Sequence, residues 1–362
     1  MDRFAGISGF GGAYGTGIVR SQRGSSIVVG YESALAFWRH VRVEDPVLTR
    51  ELLGQLYPDD VLATLDAEAL ATDTSLRPLE LPSCACERAQ HAAMITGLKV
   101  PLDVVVGKRL ARRPSSALAC RTWSGPVADG LLVSIESGVF VSSPELVIMQ
   151  LAHGLGLYKS IALAMELCGS YSLLSNGRCE WDVIPLTNVA RLNGLACISA
   201  ECRGVATMRR VGRLAMDNSG SPRETALAVM LSLPRSLGGW GCGKPRLNAD
   251  ISLSEEASRE CSRSKLVADL LFDDAGLDVE YQGREWHEKS EDRLSDETRQ
   301  NALMMMGKSC LFVSKEQLSD EERMDGIAAL IRKRLGFEPF RKELTPKMAL
   351  QRMQMMSDLG VR

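Results

Sequence analysis

The chain has no Cys-x-x-Cys pair, no apolar run of membrane length, no excess of charge of either sign and, before residue 217, no internal repeat. Each absence removes a class of protein. Its 10 cysteines are Cys84, Cys86, Cys120, Cys168, Cys179, Cys197, Cys202, Cys242, Cys261 and Cys310. Scattered along a long chain, they do not form the disulfide framework of a small secreted domain. Cys84, Cys86 and His91 could open a zinc site, but the second ligand pair is missing, and small buried or free thiols are the plainer reading. No segment reaches the ~18 uninterrupted apolar residues of a membrane span. The opening MDRFAGISGFGGAYGTG lacks a basic n-region, an apolar core and a cleavage site, so the expected compartment is the cytoplasm. With 43 Lys+Arg against 45 Asp+Glu the formal charge is -2, which excludes a globally basic nucleic-acid coat. Contact with nucleic acid then has to come from local patches. Gly9, Gly11, Gly12, Gly15 and Gly17 match neither G-x-G-x-x-G nor the P-loop, and residues 1–25 read as a flexible tail.

The composition is that of an ordinary globular protein, 45% apolar and 24% charged. At roughly 150 residues per domain, 362 residues suggest two or three domains. Ile27 to Val29 read as a strand running into the helix YESALAFWRH. VPLDVVVG, and the pieces around 131–135 and 138–141, read as further strands. Ser143 followed by Pro144 and Glu145 is a helix start, and so is Ser221 followed by Pro222, Arg223 and Glu224. Between them, 189–216 reads as one or two helices. DNSGSP, residues 217–222, is the clearest boundary. Beyond the loop PRSLGGWGCGKP, strands are expected over 264–272, 277–282 and 308–314. Helices are expected over 291–306 and from a Ser319 cap to Gly336.

One hairpin concentrates acidic residues. If Asp273–Gly276 close the turn, Phe272 pairs with Leu277 and Asp269 falls opposite Glu280. Facing side chains on one sheet face lie about 5 Å apart, where like charges repel. Alternation puts Asp278 and Gln282 on the face of Glu280, while Leu270, Phe272, Leu277, Val279 and Tyr281 point to the core. Paired carboxylates are what Mg²⁺ takes as ligands, together with water and phosphate oxygens. The competing reading is that Asp269 and Glu280 face solvent, or are neutralised by neighbouring Lys or Arg.

These residues resemble a family. SPRETAL, KLVADLLF, VEYQGREWH and the Asp296-x-x-Arg299 helix ending at Gly307 resemble the restriction-endonuclease-like PD-(D/E)XK nucleases. The resemblance is nearest the very-short-patch-repair-type (Vsr-like) branch and covers about 218–336. GYESALAFWR, SSPELVIMQLA and MELCGSY resemble, more weakly, the non-nuclease part of AbiEi-type antitoxin-like proteins over 26–217. The resemblance implies a Mg²⁺ or Mn²⁺ held by Asp269, Glu280 and Glu224, with His287 as general acid or base. The alternative for His287 is a packed neighbour of Trp286. At Gln282 the chain departs from the pattern, which has Lys, Asp or His there. Gln neither accepts a proton at neutral pH nor carries ligand charge, though it can orient a water.

Lys108 to Arg113 and Arg332 to Arg334 are candidates for phosphate contact, against a solvated loop and a helix C-terminus. The methionines of 304–306 and 348–356 read as packing, or as docking of a tail helix on a partner. The expected architecture is a two-domain α/β (α+β) protein. A tail (1–25) precedes a mostly helical antitoxin-like region with a few strands (26–217). A restriction-endonuclease-like domain with a mixed sheet flanked by helices (218–340) and a tail helix (341–362) follow. The expected function is a metal-dependent DNA endonuclease in a defence or mobile-element setting. The alternative is a catalytically degenerate module that binds DNA or a toxin partner.

Overall fold

A computed structural model describes residues 26–57, 86–107, 114–123, 130–198, 202–282, 290–340 and 343–362. The tail over 1–25, the basic run 108–113, Cys84, Trp286 and His287 lie outside the described residues.

The protein is a mixed α/β fold built on two principal sheets. The first half opens with β1 (Ile27–Val29), α1 (Tyr31–Glu44), α2 (Pro46–Leu56) and α3 (Cys86–Thr96). Strands β2 (Leu102–Val106), β3 (Leu118–Thr122), β4 (Leu132–Glu136) and β5 (Val139–Ser142) follow. They form a five-stranded sheet in the order β3-β2-β1-β5-β4, with β1 parallel to β5 and β2 parallel to β3. Every residue of β1 and β2 is buried, as strands covered on both faces must be. Helices α4 (Pro144–Leu155) and α5 (Leu157–Leu167) come next, then the hairpin β6 (Tyr171–Leu173) and β7 (Cys179–Trp181), then α6 (Val189–Ile198) and α7 (Val205–Leu214).

The second half begins with α8 (Pro222–Ser232) and β8 (Arg246–Ser252), followed by α9 (Glu255–Cys261), β9 (Lys265–Phe272) and β10 (Leu277–Gln282). Helix α10 (Ser290–Met305), β11 (Ser309–Ser314), α11 (Lys315–Leu318), α12 (Glu321–Arg334) and α13 (Pro346–Asp358) complete it. Its sheet runs β11-β10-β9-β8. The first three strands in chain order are antiparallel, and β11 returns parallel to β10 after α10. The local chemistry explains the ends. Ser221 Oγ accepts from Glu224 N at 3.1 Å and Pro222 occupies the first turn of α8, where no amide hydrogen is needed. Gly276 (φ 52°) closes the β9–β10 turn in a conformation that costs glycine little.

One expected cap is corrected. Asp320, not Ser319, caps α12, accepting from Glu322 N at 2.9 Å and Arg323 N at 3.1 Å. The Ser319 hydroxyl instead donates back to Lys315 and Glu316 carbonyls, closing the short α11. Strand β8 was not expected. Its alternation is plain in the burial of Leu247, Ala249 and Ile251, but Ala and Asn make it weakly apolar.

One apolar core joins the two halves, running from Ile27 and Trp38 through Ile161 and Leu227 to Leu270, Val313 and Met355. The tail helix belongs to it, with Met355 and Met356 fully buried. Arg352 of that helix donates to Gly238 O at 2.9 Å and Asp325 Oδ1 at 3.0 Å, and stacks on Trp240. Among the described residues no helix is long and apolar enough to cross a membrane.

Candidate functional site

The site lies where the β8–β9–β10 meander loosens. The β9–β10 ladder pairs Phe272 with Leu277, Leu271 with Asp278 and Leu270 with Val279. At the next position carboxylates take the place of backbone partners. Tyr281 N donates to Asp269 Oδ2 at 2.9 Å, and Asp269 N to Glu280 Oε1 at 3.4 Å. On the other side, Leu247–Leu270 and Ala249–Ala268 are paired, which leaves Asn248 opposite Asp269. Asn248 has a left-handed backbone (φ 44°), and its Nδ2 donates to Asn218 O at 2.7 Å and to Glu224 Oε2 at 3.0 Å. Asn tolerates that conformation better than most residues, so it interrupts the ladder without shifting its register and tethers Glu224.

Glu224 arrives from the first turn of α8. Its Oε2 also accepts from Gly220 N at 3.0 Å, so a backbone amide and an amide side chain orient it. The helix itself is braced from the first half. Tyr171 OH lies 2.9 Å from Thr225 Oγ1, which lies 2.7 Å from Ser219 Oγ.

Helix α10 supplies what the sequence analysis did not place. Arg299 Nη2 donates to Val267 O at 2.6 Å and Asp278 Oδ2 at 2.7 Å, and to Glu280 Oε1. Asp278 is 1% exposed, and its Oδ1 has no hydrogen-bond partner among the described residues. Gln282 ends β10 opposite Ser314, half-buried.

The electrostatics follow from crowding. Burial first, then the charge of Glu224, pushes the Asp269 carboxyl above the usual range. Burial, then Asp269 and Asp278, does the same to Glu280, against the opposing pull of Arg299. Burial disfavours the Arg299 charge, but Glu280 and Asp278 outweigh it and hold the guanidinium more firmly protonated than usual. The Cys310 thiol is pushed up by burial and by the same two carboxylates. Among the described residues four carboxylates thus share one neighbourhood with one guanidinium.

Of the expected site residues, Asp269 and Glu280 come together, Glu224 is near enough to act on Asp269, and Gln282 lies on the same strand as Glu280. By chemistry the donor set suits a hard divalent cation, which takes carboxylate oxygens. Its arrangement is that of an ion-pair cluster. Among the described residues no group of three or more His, Cys, Asp or Glu side chains is placed to hold a metal ion. Asp278, Asn248 and Arg299 are the additions. Asp278 was readable as a neighbour on the same strand face. Arg299 stood in the Asp296-x-x-Arg299 helix that carries the resemblance, but nothing in the sequence set it, or the distant Asn248, against the pair.

Two other candidates already have partners, while Lys333 and Arg334 are exposed. Arg332 donates to Gly241 O and to Glu338 O, and stacks on Phe340 at 3.8 Å, so it is occupied. His91 Nε2 lies 3.1 Å from Glu136 Oε2. Comparison with family models, with curated proteins and with solved structures finds no match to this chain.

Proposed function

We propose that the second half of the chain is a divalent-metal-dependent endodeoxyribonuclease of the restriction-endonuclease-like, Vsr-like type, hydrolysing phosphodiester bonds in DNA. The observation that supports it most is the convergence of Asp269, Asp278 and Glu280, with Glu224 beside them, at one loosened point of a helix–meander–helix–strand unit. A bound Mg²⁺ or Mn²⁺ would supply Lewis-acid polarisation of the scissile phosphate and a water of lowered pKa. The chain's own part is to hold oxygen ligands. Asp269 and Glu280 do so from adjacent strands, and Glu224 from a helix start fixed by Gly220 and Asn248. Gln282 would orient a water by hydrogen bonds without taking its proton. This reading brings DNA as the partner and the cytoplasm as the compartment.

A second reading has its own observation. Arg299 already bonds Asp278 and Glu280, and the residue at 282 is not a base. A retired site that binds DNA or a protein partner, as an antitoxin-like regulator would, fits that state. Supercoiled plasmid incubated with Mg²⁺ or Mn²⁺, beside an identically purified Asp269→Ala variant, separates the two. Nicking that disappears in the variant supports the nuclease. No cleavage by the parent while it still shifts DNA overturns the nuclease reading and leaves the binding module.

A further inference from the structure

We infer that Arg299 is a built-in counter-cation standing where a divalent cation binds, and that Asp278 belongs to the ligand set with Asp269 and Glu280. The inference rests on reading Asp269 and Glu280 as metal ligands, and two features of the cluster carry it.

The first is the number of oxygens around one atom. A terminal guanidinium nitrogen carries two hydrogens, yet three oxygens, from Val267, Asp278 and Glu280, converge on Nη2. A shell of oxygens from a carbonyl and two carboxylates is the surrounding of a hard cation rather than of a hydrogen-bond donor. The second is unused ligand capacity. Among the described residues the Oδ1 of Asp278 is buried with no hydrogen-bond partner. A carboxylate oxygen left so is destabilising unless something else satisfies it. The Arg299 side chain is 17% exposed, so the guanidinium has a path to solvent when a cation displaces it.

The consequence is a competition. Arg299 keeps the carboxylates assembled without metal and raises the metal concentration needed to load the site. Titration of the full chain with Mn²⁺, followed by the electron paramagnetic resonance of free Mn²⁺, measures this. Arg299→Met is expected to bind Mn²⁺ about tenfold more tightly than the parent, equivalent to ~1.4 kcal/mol. Asp278→Asn added to Arg299→Met is expected to remove the gain. Equal affinity of parent and Arg299→Met, or tight binding that survives Asp278→Asn, overturns the inference. Arg299→Gln keeps a donor for the carboxylates and decides the matter in the same titration if the Met variant does not fold. Plasmid cleavage reports separately on the nuclease reading. A parent that never cuts, with an Arg299 variant that gains Mn²⁺ affinity, sinks the enzyme and keeps the competition. A parent that cuts, with unchanged affinity in both Arg299 variants, does the reverse.

Discussion

Replacing Glu166 by alanine tests the frame that holds the site. Glu166 sits on α5 with its side chain 1% exposed. It accepts from Arg39 twice, from Arg42 Nη2 at 3.3 Å and from Leu173 N at 3.0 Å. Arg42 is wholly buried, also donates to Tyr171 O, and is already pushed down to about 10 by burial with Glu166 beside it. Alanine leaves that guanidinium in the core without a counter-charge. Breaking a buried pair in this way costs about 3–5 kcal/mol. That is a large share of the 5–15 kcal/mol by which folded domains are typically stable. The effect reaches further, because Arg42 and Glu166 hold the β6 backbone at Tyr171 O and Leu173 N, and the Tyr171 hydroxyl meets Thr225 next to Glu224. Urea unfolding followed by circular dichroism gives the loss directly. Glu166→Gln, which keeps an acceptor but no charge, should fall between alanine and the parent. A loss below ~1 kcal/mol for the alanine variant would refute the idea that this buried charge pair organises the join between the halves.

Three further outcomes are expected. Met355→Ala should lower stability by about 2–5 kcal/mol, as a fully buried methionine in a packed core does, whereas Met353→Ala on the exposed side of α13 should stay within about 0.5 kcal/mol; thermal unfolding of the pair decides it. Burial raises the Asp217 carboxyl, so its ionised form disfavours the folded state, a penalty present at neutral pH and removed as pH falls through the folded value to the unfolded one. Asp217→Asn, which retains an acceptor for Val189 N, should therefore be the more stable form at pH 7, with the gap closing below about pH 4; a gap unchanged in acid contradicts this. Under the nuclease reading Gln282→Lys restores a group able to exchange protons, and plasmid nicking should rise by about 10²-fold; an unchanged rate means the residue at 282 does not limit the proton step.

Helix starts were legible because the caps are local. Ser143-Pro144 and Ser221-Pro222 each set a φ angle and an acceptor within a few residues, and both helices begin there. The β9–β10 register was legible for the same reason, since a four-residue turn fixes the pairing on either side. Strands β3 and β8 were not read. The first alternates through Ala119 and Arg121, and the second carries Asn248 in a conformation that interrupts its pairing. The site was half legible. Asp269 and Glu280 are neighbours across one turn, so counting finds them. Arg299 lies on a helix one crossover away and Asn248 on the preceding strand, and only the folded sheet brings them to the same point. Whether acidic neighbours form a ligand set or a neutralised pair depended on those two residues.

The loop DNSGSP divides the sequence more sharply than it divides the packing. On α8, seven consecutive residues, Thr225 to Leu231, are all buried. A helix apolar on one stripe can rest on a single surface, but one buried all round needs neighbours on every side. Its neighbours are β9, β10 and α13 on one hand and α5 of the first half on the other. The loop itself is bonded back to the first half, with Asn218 N to Cys168 O at 3.1 Å and Ser170 N to Ser219 O at 2.9 Å. Asn218 O in turn receives Asn248, and Asn248 holds Glu224. The orientation of the helix-borne carboxylate is therefore set by contacts on both sides of the loop. The described part of the first half acts on the carboxylate cluster by bracing α8, and the cluster's geometry is a property of the two halves packed together.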